Sequence, residues 1–134
     1  MLRILDELQI VGVWDRGIPN KERIAIKTYR TTNLVDYFLF LGVPVGNQTA
    51  VPLTDNVLHL GQSIMGVIEP PTWVIVYTGP GETKLTTIKP SGESALVLHW
   101  GKKETALHNP NVVPVLLSAE GIFVSPHSGI LHIR

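Results

Sequence analysis

The sequence predicts a mainly β protein, an antiparallel β-sandwich or open barrel of about nine short strands with an optional short N-terminal helix. Three observations predict it. The 134 residues include 15 Val, 12 Ile and 11 Thr against five Ala, and branching at Cβ costs rotamer freedom in a helix while packing well on a sheet. Twelve Gly and ten Pro are spread along the whole chain, which leaves few gaps long enough for a helix of three turns. Apolar segments also recur at roughly the 8–12-residue spacing of sandwiches and barrels.

Taken in order, Leu2, Leu5 and Leu8 stand three apart around Asp6 and Glu7, a pattern that suits a short helix. Gln9–Trp14 reads as a strand, and Asp15–Asn20 as a turn around Gly17 and Pro19. Glu22–Tyr29 alternates, with Ile24, Ile26 and Thr28 on one face. Val35–Val43 is a strong strand, apolar on both faces apart from Asp36. Pro44–Asn56 reads as a long loop, Val57–Leu60 as a short strand, and Gly61–Thr72 as irregular.

Trp73–Thr78, Gly79-Pro80-Gly81-Glu82 and Thr83–Ile88 predict a hairpin with Pro80 and Gly81 at the centre of a type II turn. That register sets Tyr77 opposite Lys84 and Trp73 opposite Ile88. Ala95–Trp100 and Glu104–His108 predict a second hairpin about Gly101-Lys102-Lys103. Val112–Ser118 contains Pro114, which cannot donate to a ladder, so this strand belongs at an edge or bulges there. Ile122–Val124 is a candidate last strand. Residues 125–134 read as a C-terminal tail or a further short strand within a single domain over 1–134.

Composition excludes several classes. Cysteine is absent, so disulfides, thiolate zinc sites and cysteine nucleophiles are out. Eleven Lys+Arg balance eleven Asp+Glu, so no global field attracts nucleic acid or an anionic membrane. Asp6 and Glu7 interrupt any signal-peptide core, and no apolar run reaches the ~18 residues of a membrane span. A cytoplasmic location is the expectation. Gly79–Lys84 lacks the Gly-Lys-Ser/Thr ending of a phosphate loop, and Gly61-Gln62-Ser63 lacks the closing Gly of a nucleophile elbow. No cofactor is implied.

Two constellations remain. Four of the five histidines follow a leucine, so leucines facing the core turn these imidazoles outward. In the second hairpin this places His99, His108 and Glu104 on one face, a set able to hold a divalent metal or, more simply, a wet polar row. Trp73, Tyr77 and Lys84 share a face of the first hairpin and suggest a platform for a sugar, a nucleotide or a partner. Ile75 and Ile88 share that face, so packing within a core is the simpler reading. Val35–Leu41 holds one charge in seven residues, which marks either a covered central strand or a subunit contact. The expectation is a non-enzymatic protein-interaction or assembly module, with a protein partner or a second copy and neither nucleic acid nor membrane. A metal-binding protein or metal-dependent enzyme and a small-ligand binder are the alternatives.

Overall fold

The computed structural model describes residues 3–46, 50–62, 66–119, 123 and 125, without the side chains of 54–56 and 62. Of the candidate strand at 122–124 only residue 123 is described, and of the C-terminal stretch at 125–134 only residue 125; the candidate strand at 130–133 lies outside the described residues. Within that set the chain is mainly β, with ten strands and two single-turn 3-10 segments. The strands are β1 (Leu8–Trp14), β2 (Arg23–Thr28), β3 (Thr32–Asn33), β4 (Tyr37–Pro44) and β5 (Ala50–His59). They continue with β6 (Val67–Ile68), β7 (Thr72–Tyr77), β8 (Lys84–Ile88), β9 (Glu93–His99) and β10 (Val113–Ser118).

One sheet has the order β1-β2-β7-β9-β8, a second β10-β4-β5, and the two-residue β3 and β6 pair alone. Neighbours are antiparallel except β7 and β9, which run parallel. The inner faces of the two larger sheets meet in one core. Ile24 and Ile26, Val74 and Val76, and Leu96 and Leu98 come from the first sheet; Tyr37, Leu39 and Leu41 come from the second. Leu34, Leu60, Ile68 and Leu107 fill the ends of this core. Full burial of one such side chain contributes about 1.5–3 kcal/mol. Among the described residues, no helix is long and apolar enough to cross a membrane.

Four local expectations are corrected. The N-terminal helix does not form: residues 3–7 are irregular and lead into β1. A local ion pair and long-range hydrogen bonds hold them there. Glu7 is buried, and its carbonyl accepts from Tyr29 N at 2.8 Å. Its carboxylate takes a bidentate pair from Arg3 at 3.0 and 2.9 Å and a hydrogen bond from the Tyr37 hydroxyl.

The expected loop over Pro44–Asn56 gives way to β5 from Ala50 onward. Pro52 is tolerated because β5 lies at a sheet edge, and the ladder with β4 shifts register between Phe40 and Gly42. A side chain at position 42 would meet the Val51 carbonyl at 2.7 Å, so glycine permits this close approach.

The hairpin over 73–88 is absent, since β9 lies between β7 and β8. Ala95–Leu98 is buried at every position, whereas β8 is exposed except at Ile88. A strand apolar on both faces is stable only between neighbours, so β9 takes the inside position and β8 the edge. Gly81 has no positive φ. It clears the His99 ring instead, which a Cβ there would approach to 2.3 Å.

The hairpin over 95–108 is also absent, because residues 104–108 form no strand. The amides of Ala106 and Leu107 donate to the Glu22 carboxylate at 2.8 and 2.9 Å and so are not available to a ladder. Edge placement of the proline-bearing strand is observed, with β10 outermost in its sheet.

Candidate functional site

The outward faces of the two sheets differ. On the first sheet, Ala25, Ile75, Ala95 and Val97 are small or aliphatic and nearly fully buried, although they point away from the main core. Trp14, Trp73, Tyr77 and Ile88 pack over them. The Trp14 and Trp73 rings lie 5.9 Å apart. The Arg23 guanidinium sits 5.2 Å from the Trp14 ring and 5.6 Å from Tyr77, and the Lys27 ammonium 5.1 Å from Trp73. Such cation–π contacts are each worth about 0.5–1 kcal/mol when exposed. His99 stacks on Tyr77 at 5.2 Å. Arg23 pairs with Asp15 at 2.7 Å and Lys27 with Glu93 at 3.8 Å, while Trp73 Nε1 donates to Glu93 at 3.2 Å. This face is a small second core closed by its own side chains.

The expected platform residues separate accordingly. Trp73 and Tyr77 share a face as expected, but both rings engage neighbours within the chain. Lys84 keeps the predicted parity, opposite Val97, yet the intervening β9 puts it two strand spacings from Tyr77, roughly 9–10 Å.

The expected metal set is not assembled. His99 ends β9, whereas His108 is exposed in the irregular segment, where its Nδ1 lies 3.0 Å from the Thr105 carbonyl. Glu104 is exposed in the same segment. No cluster of three His, Cys, Asp or Glu able to hold a metal occurs among the described residues. Burial disfavours the charged form of His99 and lowers its pKa; the nearby Lys84 charge adds to this, against a raising bond to the Glu82 backbone.

The sequence reading missed Glu22, which is 1% exposed. Its Oε1 accepts from Gly17 N and Leu107 N, both at 2.9 Å. Its Oε2 accepts from Ala106 N at 2.8 Å and Thr78 Oγ1 at 2.6 Å. Burial pushes its pKa up, but the Thr78 hydroxyl and the three amides outweigh burial and hold it below the ordinary value. Arg16 works beside it, donating to the carbonyls of Leu107 and Val112 at 3.1 and 3.0 Å. Together they fasten the 105–112 segment to the turn before β2. A polar residue at the start of an alternating strand, just after a Gly/Pro turn, was the only signal.

Among the described residues, the outward face of β10-β4-β5 has no comparable cover. In register across it lie Leu117, Phe38 and His59, then Val115, Phe40 and Val57. Val57 and Leu117 are 58% and 42% exposed, and the two phenylalanines are half-buried by their neighbours. His59 stacks on Phe38 at 4.6 Å, and its Nε2 lies 2.8 Å from the Val35 carbonyl. A carbonyl can only accept, so Nε2 carries the proton. None of these six side chains is a carboxylate, an ammonium or a guanidinium.

Comparison with protein-family models, curated proteins and solved structures finds no match.

Proposed function

We propose that this chain is a non-enzymatic protein-interaction module that receives the apolar face of a partner protein on β10-β4-β5. The observation that supports it most is the uncharged strip of Phe38, Phe40, Val57, Val115 and Leu117, with Val57 and Leu117 open to solvent. A strip without charge among the described side chains offers little to a phosphate backbone or an ionic ligand and favours a partner that buries hydrocarbon. Three strands about 4.8 Å apart and six to ten residues long present roughly 400 Å². That is about half of what each partner contributes to a standard stable interface, so the contact is reversible. The buried carboxylates support the non-enzymatic reading. Glu7 and Glu22 spend their lone pairs on Arg3, Tyr37, Thr78 and backbone amides and present none to a substrate.

The test is ANS fluorescence with wild type and with a variant combining Phe38→Ser and Phe40→Ser. The wild-type protein enhances emission, and the variant loses that enhancement while unfolding as cooperatively as before. Absence of dye binding by the folded wild type, or loss of cooperative unfolding in the variant, would place both rings in an interior and overturn the reading.

A further inference from the structure

Among the described residues the two larger sheets expose four edges, and three carry a proline or a register shift, features that discourage strand addition. In β10 it is Pro114 and in β5 Pro52. In β1 the ladder shifts register between Ile10 and Gly12. The fourth edge, β8, has none of these. It pairs with β9 without a shift from Lys84 opposite Val97 to Ile88 opposite Glu93. Residues 85–88 read Leu-Thr-Thr-Ile, with neither proline nor charge, and the strand's one charge, Lys84, stands at its end.

We propose that β8 is a homodimer edge, joining antiparallel to β8 of a second copy across a two-fold axis at Thr86. This extends the interaction reading to a surface separate from the β4 face. Three features select a second copy. A two-fold centred on Thr86 places Thr86 opposite its own equivalent and Leu85 opposite Thr87, and hydroxyl pairs of this kind stabilise antiparallel ladders. Leu85 stands on the core side of the sheet, opposite the buried Leu96, yet is 52% exposed. The two-fold brings both copies of Leu85 into diagonal contact, about 7–8 Å apart, and covers them. Lys84 of each copy falls opposite Ile88 of the other, so the two Lys84 charges stand at opposite ends of the seam. The contact is isologous and closes on itself, so it ends at two copies.

Sedimentation equilibrium from micromolar to millimolar protein tests it with wild type, T86K, T86E and an equimolar mixture of the two variants. Thr86 is exposed, and thermal melts confirm that each variant remains folded. The wild type reaches twice the 14.7 kDa chain mass. Each variant alone stays at the single-chain mass, because like charges face each other across the axis. The mixture recovers the doubled mass, because T86K then faces T86E. In the wild type, amide protection at 84–88 rises with concentration. Phe40→Ser still dimerises, so failure of the β4 face and failure of this edge give different results. A wild type that stays at the single-chain mass throughout overturns the proposal. So does a T86K or T86E variant that dimerises alone.

Discussion

The two outward sheet faces start from similar sequence and end differently. The face of β2-β7-β9 and the face of β10-β4-β5 both alternate apolar residues outward from a shared core. On the first, the inner positions are Ala25, Ala95, Ile75 and Val97, and long side chains fold down over them. On the second, Phe38 and Phe40 are themselves the middle, flanked by valines and a leucine too short to cover them. Residue size decides the difference. Small central residues leave room for tryptophan and arginine to lie flat, whereas central phenylalanines fill that space and meet the solvent.

The largest expected effect comes from unfastening the closed side. Glu22→Ala leaves the amides of Gly17, Ala106 and Leu107 without their acceptor, and buried donors left unpaired cost about 1–3 kcal/mol each. Denaturant titration should show a loss of at least about 3 kcal/mol, with the 105–112 amides exchanging faster than the sheets. A loss below about 1 kcal/mol would mean that solvent reaches these amides freely. Trp73→Ala comes next. It uncovers Ala25, Ile75 and Ala95 and should cost about 2–4 kcal/mol, below the full range for a wholly buried tryptophan because the ring is only half-buried. By contrast, Phe40→Ala on the open face should cost less than about 1.5 kcal/mol. Equal costs for these two substitutions would erase the distinction between the faces.

Acidity gives a smaller, graded test. The Arg3 guanidinium and the Tyr37 hydroxyl hold Glu7 below its ordinary 4.5 against burial, and Glu22 is lowered from the same value. His99 is lowered from 6.5. The unfolded chain therefore binds protons that the folded chain refuses. The stability these groups contribute is present at neutral pH, starts to fall below 6.5 through His99, and falls further below 4.5. Tyr37 acts in the opposite sense. Burial and the Glu7 carboxylate push it up to about 12 from 10.0, so its contribution holds below 10.0 and is lost as pH rises towards 12. Melting temperature against pH should form a plateau between these limits. Tyr37→Phe should remove the alkaline decline.

Much of the architecture was legible because β-branching, parity and turn residues act locally. Parity put Trp73, Ile75, Tyr77, Lys84 and Ile88 on one face even though their strands do not pair. Pairing itself was not legible. Proximity in sequence favoured β7 with β8, but β9 needed two neighbours and took the place between them. The metal hypothesis depended on that kind of register and lost its basis with it. Glu22 was hidden for another reason: its partners Ala106 and Leu107 lie more than eighty residues away, and backbone amides carry no mark in a sequence. The open face was legible as a choice between cover and contact at Val35–Leu41, and among the described residues β4 is covered by the core on one side only.

Hydroxyl-radical footprinting read by mass spectrometry tests the central contrast most directly. Phe40, Val57 and Leu117 should oxidise readily in the folded protein, while Ile75 and Val97 stay protected until it unfolds. Equal protection of both sets, or oxidation of Ile75 and Val97 ahead of Phe40 and Leu117, would contradict the assignment of β10-β4-β5 as the open docking face.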